Sequence, residues 1–182
     1  MPDIVGNDAA LWAATVERAS HELAALSIDE REWLSGRIAR IGRFQETLDR
    51  LFREVGGPTE CAGCHGGCCG CARHHATLTN LFGYLLADNA PPTPDFTRPC
   101  PFLGELGCRL PVPHRPFNCI IFLCEVLDQR LTESQRAEFT RIENALRATY
   151  LEIAARHPGA SLRGLLMASA RTGHGSLLTR AA

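Results

Sequence analysis

The sequence predicts a mainly α-helical chain, a bundle of four or five helices carrying two irregular cysteine-rich metal-binding loops. Three observations lead there. Apolar residues recur at helical spacing in three long stretches, prolines crowd residues 91–116, and all nine cysteines fall outside the long helical stretches. With 182 residues and 45% apolar content, the chain can build a hydrophobic core without disulfide staples. It reads as a single domain over 1–182, with a helical hairpin at 8–56, a cysteine-cluster region at 57–128 and a C-terminal helical region at 129–182.

The first helix is expected to begin near Asp8, because Trp12, Val16, Ala19, Leu23 and Leu26 recur in steps of four and three and share one face. Ser27 and Glu30 have capping-box spacing and open a longer helix with Leu34, Ile38, Ile41, Leu48, Leu51 and Val55 as its apolar series. Gly56, Gly57 and Pro58 end it. A short helix is expected over 77–87, capped by Thr77 and carrying Leu78, Leu81, Phe82, Leu85 and Leu86. From Pro91 to Pro116 each proline lacks an N–H donor and restricts the residue before it, which denies regular helix to most of the segment. A structureless run of that length is uncommon in a compact domain unless something else fixes it, and Cys100 and Cys108 lie within it. Thr132 and Gln135 repeat the capping-box spacing ahead of Phe139, Ile142, Leu146, Tyr150 and Ile153, giving a helix over about 132–156 that Pro158 and Gly159 close. Leu162 to Met167 suggests a last short helix before a frayed, Gly-rich tail.

Composition excludes several kinds of chemistry. The formal net charge of -1 gives no electrostatic reason to expect nucleic acid or an anionic membrane as partner. Arg37, Arg40 and Arg43 have the spacing of a nucleic-acid stripe, but Glu46, Asp49 and Glu54 interrupt it, so a solvated helix face is expected. There is no lysine, which removes Schiff-base chemistry and the lysine-bearing phosphate loop. Met1–Ser20 carries Asp3, Asp8 and Glu17 and lacks a basic start followed by an apolar run, so a cytoplasmic location is expected. No stretch of about 18 apolar residues suggests a membrane span.

The cysteines are Cys61, Cys64, Cys68, Cys69, Cys71, Cys100, Cys108, Cys119 and Cys124. They sit in Gly-rich and Pro-rich segments where side chains can converge, not on apolar helix faces where buried thiols would scatter. Cys61 and Cys64, two residues apart, form a ligand hairpin, and Gly63, Gly66, Gly67 and Gly70 are expected to supply the turns. An odd count and the vicinal Cys68–Cys69 pair argue against a disulfide framework, and a thioredoxin-type redox pair lacks its α/β setting. Cys71 stays open between ligand and bystander.

The run Cys61-Ala-Gly-Cys64-His-Gly-Gly-Cys68-Cys69 resembles the signature of the YkgJ-like cysteine-cluster family, described as a zinc- or iron-chelating domain. A second block agrees: Cys100-Pro101-Phe102-Leu103, Gly107-Cys108, Arg115-Pro116 with Cys119, and Phe122. The likeness covers about residues 61–124. It departs from the family where Leu110, Pro111 and Ile120 stand in place of usual Tyr and Arg positions. With Cys71 set aside, the resemblance implies Cys61, Cys64, Cys68, Cys69, Cys100, Cys108, Cys119 and Cys124 as metal ligands.

Eight thiolates suffice for two four-coordinate sites, and neighbours such as Cys68 and Cys69 project differently along an extended backbone, so they more easily serve different metal atoms. The spacing matches neither common ferredoxin motifs nor a zinc ribbon, so an iron–sulfur cluster and Zn both stay open, with a slight lean to iron–sulfur. Arg73, Arg98, Arg109 and Arg115 flank the cysteines and can offset thiolate charge, Arg115 being preferred because it also matches the family motif. His65, His74 and His75 are lesser ligand candidates, and His114 reads as a loop histidine. The expected function is metal binding through clustered thiolates without an assigned reaction, with a protein partner for the helical scaffold; the alternative is an iron–sulfur redox enzyme or accessory component.

Overall fold

The chain is described by a computed structural model over residues 4–64, 67–105, 107–173 and 175–179. Two long helices, α2 (Ile28–Glu54) and α7 (Glu133–Arg156), pack against each other along most of their length. Their expected apolar series meet there: Leu34, Ile41 and Leu48 face Leu146, Tyr150 and Ile153 in one buried cluster. Each such side chain contributes about 1.5–3 kcal/mol by leaving water. The first helix, α1 (Ile4–Ala24), buries Ala19 and Leu23 in the same cluster and packs on α4 (Leu78–Leu85) and α8 (Leu165–Thr172).

Local signals explain most helix ends. Thr132 and Gln135 cap α7 reciprocally, side chain to backbone N–H at 3.2 Å and back at 3.0 Å. Thr77 and Asn80 do the same for α4. Ser27 caps α2 by accepting from the Glu30 N–H at 3.3 Å, but the expected reciprocal bond is missing. The buried Glu30 carboxylate turns instead to His157, 2.9 Å away, and to Arg156. A buried charge takes the partner that neutralises it, which outweighs a capping bond at a helix end.

Several boundaries differ from expectation. α1 starts at Ile4, ahead of Asp8, whose carboxylate is held by Arg73 at 2.8 Å. The last helix is shifted to Leu165–Thr172, because Ser161–Gly164 first carries the chain out of a 3-10 turn at Pro158–Ala160. The tail is not frayed over its described part: Leu177 and Leu178 are buried and donate their N–H groups to the Glu22 carboxylate at 3.1 and 2.8 Å. Short helices also form where irregular chain was expected, namely α3 (Gly57–Gly63), α5 (Phe117–Ile120) and α6 (Glu125–Arg130). The helical elements among the described residues therefore exceed four or five, although the fold is mainly α as expected. Arg37 and Arg40 both reach Glu152 on α7, at 2.6 and 3.6 Å, so they serve helix packing.

The proline-rich segment is largely non-helical, with a two-strand antiparallel pair, β1 (Leu103–Gly104) and β2 (Gly107–Cys108), and a 3-10 turn at Val112–His114. The helices grip it where that turn ends. The Arg115 carbonyl accepts from Gln45 Nε2 of α2 at 2.5 Å and from Asn80 Nδ2 of α4 at 3.0 Å. Asn80 Nδ2 also donates to the Tyr150 hydroxyl of α7 at 3.3 Å. Three helices of the core thus converge on the loop that carries the second cysteine block.

Candidate metal centre

The path into the first cysteine block begins at Gly56, whose φ of +83° is a left-handed conformation that stops α2 at little cost only for glycine. Pro58 then stands in the first turn of α3, where its missing N–H costs nothing. Cys61 lies on α3 and Cys64 caps it, the Cys64 N–H donating to the Glu60 carbonyl at 3.0 Å and its thiol to the Cys61 carbonyl at 3.5 Å. A 3-10 helix over Gly67–His74 follows, carrying Cys68, Cys69 and Cys71. Gly63, Gly67 and Gly70, expected to supply the turns, have no left-handed angles, and a side chain at each would meet open space. Gly66 and His65 lie outside the described residues.

Cys124 comes to α3 from the far side of the sequence. It is the N-cap residue of α6, and Arg130 at the end of that helix donates to Glu60 Oε1 at 2.5 Å and to the Val55 carbonyl at 3.2 Å. This clasp brings Cys124 beside Cys61. Burial pushes the Cys61 thiol up, and the charges of Cys64, Cys68 and Cys124 add to the shift, while the Arg115 guanidinium opposes it. Burial likewise raises Cys68, with further contributions from Cys64 and Cys124. Cys64, Cys68 and Cys124 thus lie within charge range of Cys61, and these four are called the outer group; Cys64 and Cys68 are exposed.

Four of the remaining five make up an inner group. Cys69, Cys100 and Cys119 pack with Ala72, Tyr84, Phe102 and Leu110 in a small apolar cluster separate from the main core. Cys108 is held beside them by the β1–β2 pair, opposite Leu103. Burial raises the Cys69 thiol to about 11, helped by the charges of Cys100, Cys68, Cys108 and Cys61, in that order. Burial also raises Cys119 strongly, with Cys108, Cys100, Cys69 and Cys71 contributing. Cys100 rises through burial and the charge of Cys108, against backbone hydrogen bonds and Arg109. His75 Nδ1 stands 3.4 Å from Cys119 Sγ, and the Tyr84 hydroxyl is buried with no hydrogen-bond partner among the described residues. Burial, followed by the charge of Cys108, raises Tyr84 to about 12.

The Cys68–Cys69 peptide unit joins the two groups. None of the nine cysteines is in a disulfide. The thiols of each group are neighbours and not yet a coordination shell: among the described residues, no three His, Cys, Asp or Glu side chains are gathered closely enough to hold a metal ion. Cys71, which acts on Cys119 by charge, is exposed, and its thiol donates to the Cys68 carbonyl at 3.6 Å.

The flanking arginines divide by role. Arg115, whose charge acts on Cys61, donates from Nη1 to the buried Asp49 carboxylate at 3.0 Å and from Nε to the Leu110 carbonyl at 3.3 Å. Arg73 is committed to Asp8 and to the Phe96 carbonyl, and Arg98 to Asp95 and the Leu103 carbonyl. Arg109 holds the Pro101 carbonyl at 2.9 Å. His114 stacks on Tyr84 with ring centroids 4.2 Å apart, away from the thiols' hydrogen bonds. A cleft of about 490 Å³ opens on the inner group's exposed side, lined by Asp95, Arg98, Glu105, Cys108 and Arg109 among others. The Arg130–Glu60 clasp and the Asn80–Gln45 grip on Arg115 carry no sequence signal, since each joins residues far apart along the chain. No family model, curated protein or solved structure matches this chain.

Proposed function

We propose that this chain is a metal-binding protein of the YkgJ-like type, with two centres of four cysteine thiolates each and no assigned reaction. One observation carries the reading: cysteines far apart in the sequence come together, Cys69 with Cys100 and Cys119 in one apolar cluster and Cys124 within charge range of Cys61. Four thiolates satisfy a tetrahedral zinc ion or one iron–sulfur cluster, and unrelated buried thiols have no reason to converge this way. Nine cysteines without a disulfide fit a reducing compartment, which we take to be the cytoplasm; among the described residues no helix is long and apolar enough to cross a membrane.

Coordination draws the 57–74 and 100–124 segments inward, so that metal affinity and local ordering are one free energy. Raised thiol pKa values mean that protons leave as metal binds. Arg115 limits the negative charge at the outer group through its effect on Cys61. The test is anaerobic purification with zinc, iron and acid-labile sulfide measured per chain beside the visible spectrum. Zinc at about two per chain, or iron with sulfide, supports the reading and identifies the metal. Absence of bound metal after careful handling, and after reconstitution with either metal, rejects it.

A further inference from the structure

We infer that His157 is a proton-operated latch: with both ring nitrogens protonated it ties the strap at residues 176–179 to the core, and when the ring gives up one proton it lets the far end of that strap go. None of the cysteines takes part, so the latch is independent of metal binding.

The partners of the ring decide which form fits. His157 is 1% exposed, its Nε2 lies 2.9 Å from Glu30 Oε1, and its Nδ1 lies 3.3 Å from the Leu178 carbonyl oxygen. Both partners only accept, so a neutral ring, with one N–H, satisfies one of them and turns a lone pair on the other. The imidazolium donates to both. Its place in the fold favours that charge: Glu30 is buried in the first turn of α2, where a carboxylate is favoured, and His157 follows the last residue of α7, where a helix end favours a cation. Burial by itself would raise Glu30, but the hydrogen bonds and charges of Arg156 and His157 outweigh it and hold the carboxyl below its ordinary value. Arg156 donates to Glu30 Oε2 and lies over the Trp33 ring at 4.4 Å, with Arg37 on the same ring at 5.0 Å. When the ring loses a proton, the Glu30 carboxylate keeps Arg156 and the remaining N–H. The bond that goes is the one to the strap.

The strap has two anchors. Leu177 and Leu178 lie in the core cluster with Leu23, Ile153 and Ala160. Their N–H groups and the Ser176 hydroxyl donate to the Glu22 carboxylate of α1, and the Leu177 carbonyl rests so close on Gly159 that a side chain there would collide with it. Beyond that anchor, His157 is the hydrogen-bond partner of the Leu178 carbonyl among the described residues. Loss of a bond from a charged donor loosens the segment it holds by about tenfold or more. The hold is therefore present while the ring is charged and is lost as pH rises through the titration of His157, which uncovers the Leu178 side chain.

The experiment follows the full chain by NMR from about pH 5 upward. The ring nitrogens of His157, assigned by the loss of their signals in His157→Gln, are expected to carry a proton each at the acid end. As the ring titrates, the exchange protection factors of the Leu177 and Leu178 amides should fall about tenfold with the same midpoint. Glu30→Gln removes the carboxylate that favours the imidazolium and should lower that midpoint for ring and strap together. His157→Gln should leave strap protection low and level across the same range. A ring that holds a single proton at the acid end, a strap whose protection stays level while the ring titrates, or a midpoint that does not fall in Glu30→Gln overturns the latch. If either variant fails to fold, the comparison of ring and strap in the unaltered chain decides alone.

Discussion

The two thiol groups each draw on four cysteines and meet at the Cys68–Cys69 peptide unit, yet they are built in opposite ways. The inner group is assembled by packing: an apolar cluster, a buried Cys100 and a small strand pair set its sulfurs near one another. The outer group is assembled by helix ends, with Cys64 capping α3, Cys124 capping α6 and an ion pair between those helices. Ligand identity alone does not set how firmly a site is held; the contacts behind the ligands do.

The largest expected effect is at the inner group. Cys119→Ser should lose one metal per chain and destabilise the loaded protein by several kcal/mol, because the binding free energy there is folding free energy. Cys64→Ser should lose one metal with a smaller fall in melting temperature. Metal content and thermal melts of both variants check this, and equal destabilisation would erase the distinction between the groups.

Next in size is the loss of Arg115. Arg115→Gln removes the charge that opposes Cys61's raised pKa and breaks the pair with buried Asp49. It should weaken zinc at the outer group by about tenfold, measured by competition titration, with the inner affinity changed less. A larger loss at the inner group would mean that Arg115 acts mainly through Leu110 and the second block.

A pH titration of the metal-free chain sharpens the comparison further. Cys69 has its thiol raised from an ordinary 9.0 to about 11, so the folded state holds that proton more tightly than the unfolded chain does. The resulting stability is present below pH 9 and lost as pH rises toward 11, by about 1 kcal/mol after allowing for partial solvent exposure. Metal-loaded protein should not show this loss, because its thiolates carry no proton. Denaturant melts at intervals across the window test it, and a rise in stability there would contradict the burial of the inner thiols.

The smallest effect is expected from Arg130→Ala. Its ion pair with Glu60 is half exposed, so global stability should change by less than about 1 kcal/mol, while zinc release from the outer group speeds up. A slowed release would contradict the view that α3 and α6 form the site's weak frame.

Much of the scaffold was legible because periodicity and capping are local. The buried faces of α1, α2 and α7 follow the expected series, and Thr132 with Gln135 marks the start of α7 as anticipated. Glu30 shows where local reading fails: its spacing from Ser27 suggests a cap, but a histidine and an arginine from the end of α7 claim its carboxylate. In the cysteine region the spacing shows which residues belong together along the chain, and a vicinal pair suggests two sets. The partition itself depends on tertiary proximity, since Cys124 joins Cys61 through the α3–α6 clasp and Cys119 joins Cys69 through shared packing. Short helices such as α5 escape prediction because Pro116 stands where a helix of four residues can begin, and nothing in so short a run is periodic.

Gly164 gives the scaffold a further hold on the chemistry. A side chain there would collide with the His74 carbonyl, and the next residue's N–H donates to the Ala76 carbonyl at 2.6 Å, so the start of α8 presses on the strip of backbone that presents His75 to Cys119. The cysteine segment is consequently not portable. Grafted onto another helical frame with every sulfur in register, it would lack the bare stretch of backbone against which its histidine is seated, and the transplant would inherit the sulfurs without their setting.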